Sequence, residues 1–424
     1  MEVMAGGIFV VMYAVIVSEK IHRTVAAMVG AILMILVGIL DQETALHHID
    51  FNTLGLLIGM MILVSVTSQT GLFDYVAIKA AKLAKAEPRR LLLYLGLLTG
   101  VFSAFLDNVT TVLLMVPVTF AITIKLELKV VPFLLTQIIA SNIGGTATLI
   151  GDPPNIMIGS AVPELTFMAF IKNLAPIAVL SFAVVLFVMD RLYRRNLTTR
   201  PELQEEILKM DERKSLRDPA LLRRALFVLA LTMIGFFTHS ITHVESSLIA
   251  LSGGFLMLLL AGDSRHVEEA LHKVEWPTIF FFIGLFIVVG GLIETGLIGD
   301  LAREAVALTQ GDTVLTSMLV LWLSAIVSSV LDNIPFVATM IPLIQDMGTM
   351  GVEHLEPVWW SLSLGACLGG NGTLVGASAN LIVAAMAAER GVKITFMSYL
   401  KVGFGVMLLT VALSMVYVYL RYLI

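Results

Sequence analysis

The chain has 424 residues and a formal net charge of −5, with 58% hydrophobic and only 14% charged residues. A soluble domain is nearer half apolar and a quarter charged, so a mean hydropathy of +0.93 excludes an ordinary soluble fold and points to an all-α polytopic membrane protein. The one cysteine, Cys367, rules out an intrachain disulfide and any site built from several thiolates. No Walker A loop and no nucleic-acid motif is present, so no cofactor, resident metal or nucleic-acid partner is expected.

Ten apolar stretches are long enough to span a bilayer: about 4–19, 24–40, 52–69, 132–165, 174–192, 224–240, 246–262, 277–295, 357–388 and 399–420. The first lacks a basic flank and a cleavage site and is read as a retained helix. Two more stretches, 91–124 and 314–346, hold about 34 residues each. At ~1.5 Å per residue that is too long for one span and suits a re-entrant helical hairpin. The one long hydrophilic stretch runs from Arg191 to Arg224 and includes a short amphipathic segment, Glu202 to Met210. The predicted domains are a first repeat at 1–190, with hairpin 91–124 and broken helix 132–165, a cytoplasmic linker at 191–223, and a second repeat at 224–424, with hairpin 314–346 and broken helix 357–388.

If the hairpins do not cross, one set of loops holds Lys20, Arg23, Lys79, Lys82, Lys85, Arg89, Arg90, Lys125, Lys129, Arg265, Lys273, Arg390 and Lys393, and the other only Lys172, Arg303 and Arg421. The positive-inside rule puts the first set in the cytoplasm and both termini outside. Each half then crosses five times, so the halves are inverted. A reading with twelve spans, each hairpin crossing once, stays open and moves Lys125 and Lys129 outside.

The chain repeats itself at an offset of 225 residues. Asp107-Asn108 recurs as Asp332-Asn333, Pro117 as Pro342, and Gly144 to Asn155 as Gly369 to Asn380. Paired Gly/Pro-interrupted segments in the two halves of a membrane chain point to a transporter's binding site. An acid inside a membrane segment costs at least ~2.5–3.5 kcal/mol on insertion scales, which singles out Asp107 and Asp332 at the hairpin tips and Asp152 in Ile150-Gly-Asp-Pro-Pro-Asn155. Desolvation favours the neutral carboxyl, so these three are candidate proton carriers. The competing reading of each is a helix N-cap. Asn108, Asn142, Asn155, Asn333, Asn371 and Asn380 fall at the same four breaks, with Thr110, Thr111, Thr146, Thr148, Thr373 and Ser378. Together they are candidates for a polar cavity, although a hydroxyl can instead bond back to its own helix. The first repeat keeps Asp152-Pro153-Pro154 where the second has Ala377-Ser378-Ala379, so the acidic side belongs to the first. Cys367 matches Asn142 and reads either as a packing residue or as a ligand for a soft metalloid. No Arg or Lys falls within the breaks, which favours a proton, a cation or a neutral solute over an anion.

Phe105 to Thr111, Ser141 to Asn155, Asp332 to Phe336 and Leu364 to Asn380 resemble the ArsB/NhaD permeases of the ion transporter superfamily, and within them the branch of the melanosomal P protein. The resemblance implies an elevator-type transporter of two inverted five-helix repeats, a scaffold forming a homodimer, and substrate and coupling ion held at the hairpin tips and broken helices. The related dicarboxylate carriers have Ser-Asn-Thr at the tips, where this chain has Asp107-Asn108-Val109 and Asp332-Asn333-Ile334. Members of the family export arsenite or antimonite, exchange Na⁺ for H⁺, or move anions. The expectation is a secondary transporter, not an enzyme, in a prokaryotic cytoplasmic membrane, exporting uncharged arsenite or antimonite against protons. Na⁺/H⁺ antiport is the alternative, ahead of an anion carrier and of a channel subunit driven by a soluble ATPase partner.

Overall fold

The computed structural model describes residues 1–18 and 20–424. Among these there are helices, turns and loops and no strand. The first half runs through α1 (Glu2–Val17), α2 (Arg23–Leu36), α3 (Gln42–His47), α4 (Phe51–Gln69), α5 (Leu72–Leu83), α6 (Pro88–Phe105), α7 (Asn108–Lys125), α8 (Val131–Thr146), α9 (Pro153–Ala161) and α10 (Phe167–Tyr193). A short α11 (Pro201–Leu208) follows. The second half runs through α12 (Pro219–Thr242), α13 (Ser246–Ala261), α14 (Ser264–His272), α15 (Trp276–Glu294), α16 (Leu297–Thr309), α17 (Thr313–Val330), α18 (Asn333–Thr349), α19 (Glu356–Gly369), α20 (Ser378–Glu389) and α21 (Phe396–Tyr422). From α4 to α9 every helix begins 225 residues before its counterpart among α15 to α20.

Local chemistry sets these boundaries. Asp50 caps α4 by accepting from Asn52 N at 3.0 Å and Thr53 N at 3.1 Å, using donors that a helix start leaves unpaired. Asp312 caps α17 through Leu315 N at 2.7 Å. Pro132 and Pro357 sit in the first turns of α8 and α19, where a missing N–H costs nothing.

Among the described residues seven helices are long and apolar enough to cross a membrane: α4, α7, α10, α12, α15, α17 and α21. Five of them fall on expected spans, and α7 and α17 are arms of the segments read as hairpins. The stretches expected at 4–19, 24–40 and 246–262 form apolar helices of only 16, 14 and 16 residues. Each 34-residue segment is two helices parted at Leu106-Asp107 or Leu331-Asp332, and each broken helix comes in two pieces around a short non-helical run.

The halves interlock by exchange of equivalent contacts. α4 lies along α13 and α15 along α2, while α6 packs on α8 and α17 on α19. Small residues bring the backbones together. A Cβ on Gly59 would sit 2.3 Å from the carbonyl carbon of Ala250, and one on its repeat partner Gly284 would sit 2.6 Å from that of Ala27. The linker packs on the first half. Ile207 of α11 is fully buried, Lys82 Nζ donates to Glu212 Oε2 at 2.7 Å, and Arg217 N donates to Thr70 O at 3.0 Å.

Candidate functional site

The two helix-pair segments and the two broken helices bring four of their amides, Asn108, Asn142, Asn371 and Asn380, into one buried network spanning both halves. Asn142, at the end of α8, lies at its centre. Its Oδ1 accepts from Asn108 Nδ2 at 3.2 Å, and its Nδ2 donates to Asn371 Oδ1 and Asn380 Oδ1, both at 3.0 Å. Asn155 donates to the carbonyls of Thr146 at 3.2 Å and Thr148 at 2.9 Å. Its Oδ1 accepts from Ser363 Oγ at 2.5 Å and lies 3.6 Å from the Cys367 thiol. Asn380 repeats the pattern, donating to Gly370 O at 2.8 Å and Thr373 O at 2.9 Å. These amides satisfy carbonyls that the helix breaks release.

Several hydroxyls are structural. Thr146 bonds back to Asn142 O at 2.8 Å. Thr148 donates to Ala104 O, and Thr373 donates to Ser329 O at 2.5 Å. Ser103 and Ser328 tie the same helix-pair segments to Ser141 O at 2.6 Å and Ala366 O at 2.9 Å. These bonds fasten each segment to the broken helix of its own half.

The three acids differ. Asp107 is an N-cap, accepting from Thr110 N at 2.7 Å and from Thr110 Oγ1. Asp332 accepts from Ile334 N at 3.1 Å and from Ser378 Oγ at 2.7 Å. Asp152 precedes α9 without capping it. Its Oδ1 accepts from Asn333 Nδ2 at 3.4 Å, its Oδ2 has no protein partner, and the residue is 1% exposed. Asn371 Nδ2 and Thr111 Oγ1 are likewise buried without partners. A buried polar atom left unpaired costs ~1–3 kcal/mol, so free donors and a free carboxylate oxygen in one region are what a polar guest would satisfy.

One expectation is corrected here. The breaks carry no Arg or Lys in sequence, but the fold brings a cation to them. Arg23, counted above among the loop charges, donates from its guanidinium to Asp332 Oδ2 at 3.0 Å and to Ser378 Oγ. No periodicity marks it, because it lies 309 residues from its partner. Ser363 was also missed, although it sits one turn before Cys367 on the same face of α19. Glu275 lies within electrostatic reach of both Asp107 and Arg23. With Lys273, Ser65, Ser68 and Thr110 it lines a cavity of about 220 Å³ beside the first tip. Among the described residues no group of three His, Cys, Asp or Glu could hold a metal ion.

Known proteins fit this architecture. The CitMHS family model, described as citrate transporter, matches residues 13–365. An uncharacterized transporter of Mycobacterium tuberculosis is 40% identical over 428 residues, covering 100% of this chain and 99% of the relative. The human P protein is 33% identical over 495 residues, covering 97% of this chain and 59% of that protein. The crystal structure of the Alcanivorax borkumensis YdaH transporter superposes with a TM-score of 0.61 at 15% identity, over 89% of this chain and 88% of that one. At that identity the likeness is one of fold. The family is one of transporters and not of enzymes, and the chain is a multi-pass membrane protein that belongs to the CitMHS citrate transporter family.

Proposed function

We propose that this transporter is proton-coupled and exports a small hydroxylated neutral solute, arsenite or antimonite, as in the ArsB/NhaD branch. The observation that carries the reading is Asp152: a buried carboxylate with one oxygen free, beside a thiol and an amide network, with no cation bonded to it. Arsenite is mostly uncharged As(OH)₃ near neutral pH, and its hydroxyls would donate to Asp152 Oδ2 and accept from Asn371 Nδ2. Asp152 is then the foremost proton carrier, with Asp332 and Asp107 secondary, and the four breaks with Cys367 at the edge form the site. No cofactor is required. The elevator, the homodimer and the prokaryotic cytoplasmic membrane belong to the same reading, and the equivalent contacts of the two halves support its repeat.

Two other readings have an observation behind each. Na⁺ would suit the free carboxylate oxygen and the amide oxygens, since hard cations prefer oxygen ligands. Citrate, the solute in the family's description, would need donors or cations. Arg23 is the cation at hand, but Asp332 already engages it.

The test is dissipation of ΔpH in proteoliposomes on adding arsenite, Na⁺ or citrate singly. Arsenite alone should discharge the gradient. A response to Na⁺ alone would move the protein to cation antiport, and one to citrate alone to an anion carrier. Silence to all three would sink proton coupling.

A further inference from the structure

Arg23 makes contacts of two kinds. On one side it is held by α15: its second amino group donates to Thr278 Oγ1 at 3.4 Å, its guanidinium lies 5.1 Å from the Phe281 ring centre, and Thr24 Oγ1 donates to Pro277 O at 2.7 Å. On the other side it grips Asp332, between α17 and α18, and Ser378 at the start of α20. The side chains of Arg23 and Asp332 are 27% and 12% exposed. Taking one partner from a charge pair this far out of water leaves the other uncompensated.

The first half has no such grip. Both partners of Asp107 belong to Thr110, within its own helix pair. The start of α13, which matches the start of α2, offers Ser246, Ser247 and Leu248 and no cation. The fold repeats, but the ion pair does not.

We infer that Arg23 is a positioning residue for the second tip. It holds the Leu331-Asp332-Asn333 turn and the α20 start against the α2–α15 pair, and each transport cycle has to release that hold. Arg23 touches no free polar atom of the amide network, so its action runs through Asp332. The inference stands whatever the solute is.

The test uses thiol accessibility, which a transport assay does not confound. Cys367 is fully buried and gives a low background. Ile334→Cys puts a thiol in the turn behind Asp332, at a position that is 4% exposed, and Val109→Cys puts one at the matching place in the first half. In the Ile334→Cys protein, Arg23→Gln should raise the maleimide labelling rate about tenfold, the effect of losing one charge-assisted bond. Asp332→Asn should raise it as much, and the double variant no further. In the Val109→Cys protein, Arg23→Gln should leave the rate unchanged. No rise at Ile334→Cys, additive rises in the double variant, or an equal rise at both tips would each overturn the inference, the last because it marks general loosening. If Arg23→Gln does not purify as a folded protein, Arg23→Lys decides. It keeps the charge and loses the fork, so it should give a smaller rise confined to Ile334→Cys, and an unchanged rate there would overturn the inference.

Discussion

Asp107 and Asp332 hold the same place in the repeat, yet Asp107 commits both oxygens to Thr110 while Asp332 divides its own between the Ile334 amide, Ser378 and a guanidinium from α2. Their neighbours diverge as well: Asn108 reaches Asn142, and Asn333 reaches Asp152. Where the halves agree, the bonds are those that hold the breaks in shape, as with Ser103 and Ser328, Thr148 and Thr373, and Asn155 and Asn380. Where they disagree, the first half carries the polar group at Asp152 against Ala377, Asn142 against Cys367 and Thr111 against Phe336, and the second half carries it at Ser363 against Ile138 and Ser378 against Pro153. Repetition marks the frame of this site, and the exceptions to repetition mark its chemistry.

That contrast ranks the acids. Asp152→Asn should reduce proton-coupled flux to background, because it removes the one carboxylate oxygen with no protein partner. Asp332→Asn should be intermediate, since it frees Arg23 as well as removing a charge. Asp107→Asn should be mildest, since Asn caps a helix start about as well as Asp. Flux traces of the three variants at matched reconstitution check the order. Equal losses at Asp107 and Asp332 would mean that the tips work alike and that Arg23 is incidental.

The frame can be tested through close approaches. A Cβ on Gly144 would lie 2.1 Å from Gly100 O, and one on its partner Gly369 would lie 2.7 Å from Ala325 O. Both neighbours are backbone and cannot swing away. Overpacking of this kind costs ~1–3 kcal/mol, and Gly144→Ala should lower the melting temperature more than Gly369→Ala. A reversed order would show that the second half is the tighter one.

Much of this was legible in sequence. The Asp-Asn turns fall where the 34-residue segments part, the Gly/Pro runs break α8 from α9 and α19 from α20, and four of the six amides, Asn108, Asn142, Asn371 and Asn380, bond to one another, because polar residues inside an apolar run must find partners. Three features were not legible. Whether a carboxylate caps a helix or faces a cavity depends on its backbone angles and on its neighbours, so Asp107 and Asp152 looked alike. Arg23 looked like one more loop cation, since the rule that orients loops by charge says nothing of where a long side chain ends. The shortness of α2 was hidden by the apolar run Val37 to Leu40, which continues past the helix end.

The linker gives the smallest and most local test of the contrast between halves. Lys82 on α5 pairs with Glu212, whereas the matching position on α16 is Ala307, which has no charge to pair. The Lys82 ammonium holds the Glu212 carboxyl below its ordinary value of 4.5. A depressed carboxyl contributes stability above its unfolded-state value and loses it as pH falls through the folded one. Glu212→Gln should therefore melt slightly below the parent at neutral pH, with the gap closing as the buffer is taken below about 4.5. Lys82→Met should behave in the same way, while Ala307→Lys should change neither curve. A gap that persists in acid would mean that Glu212 holds the linker by packing and not by charge.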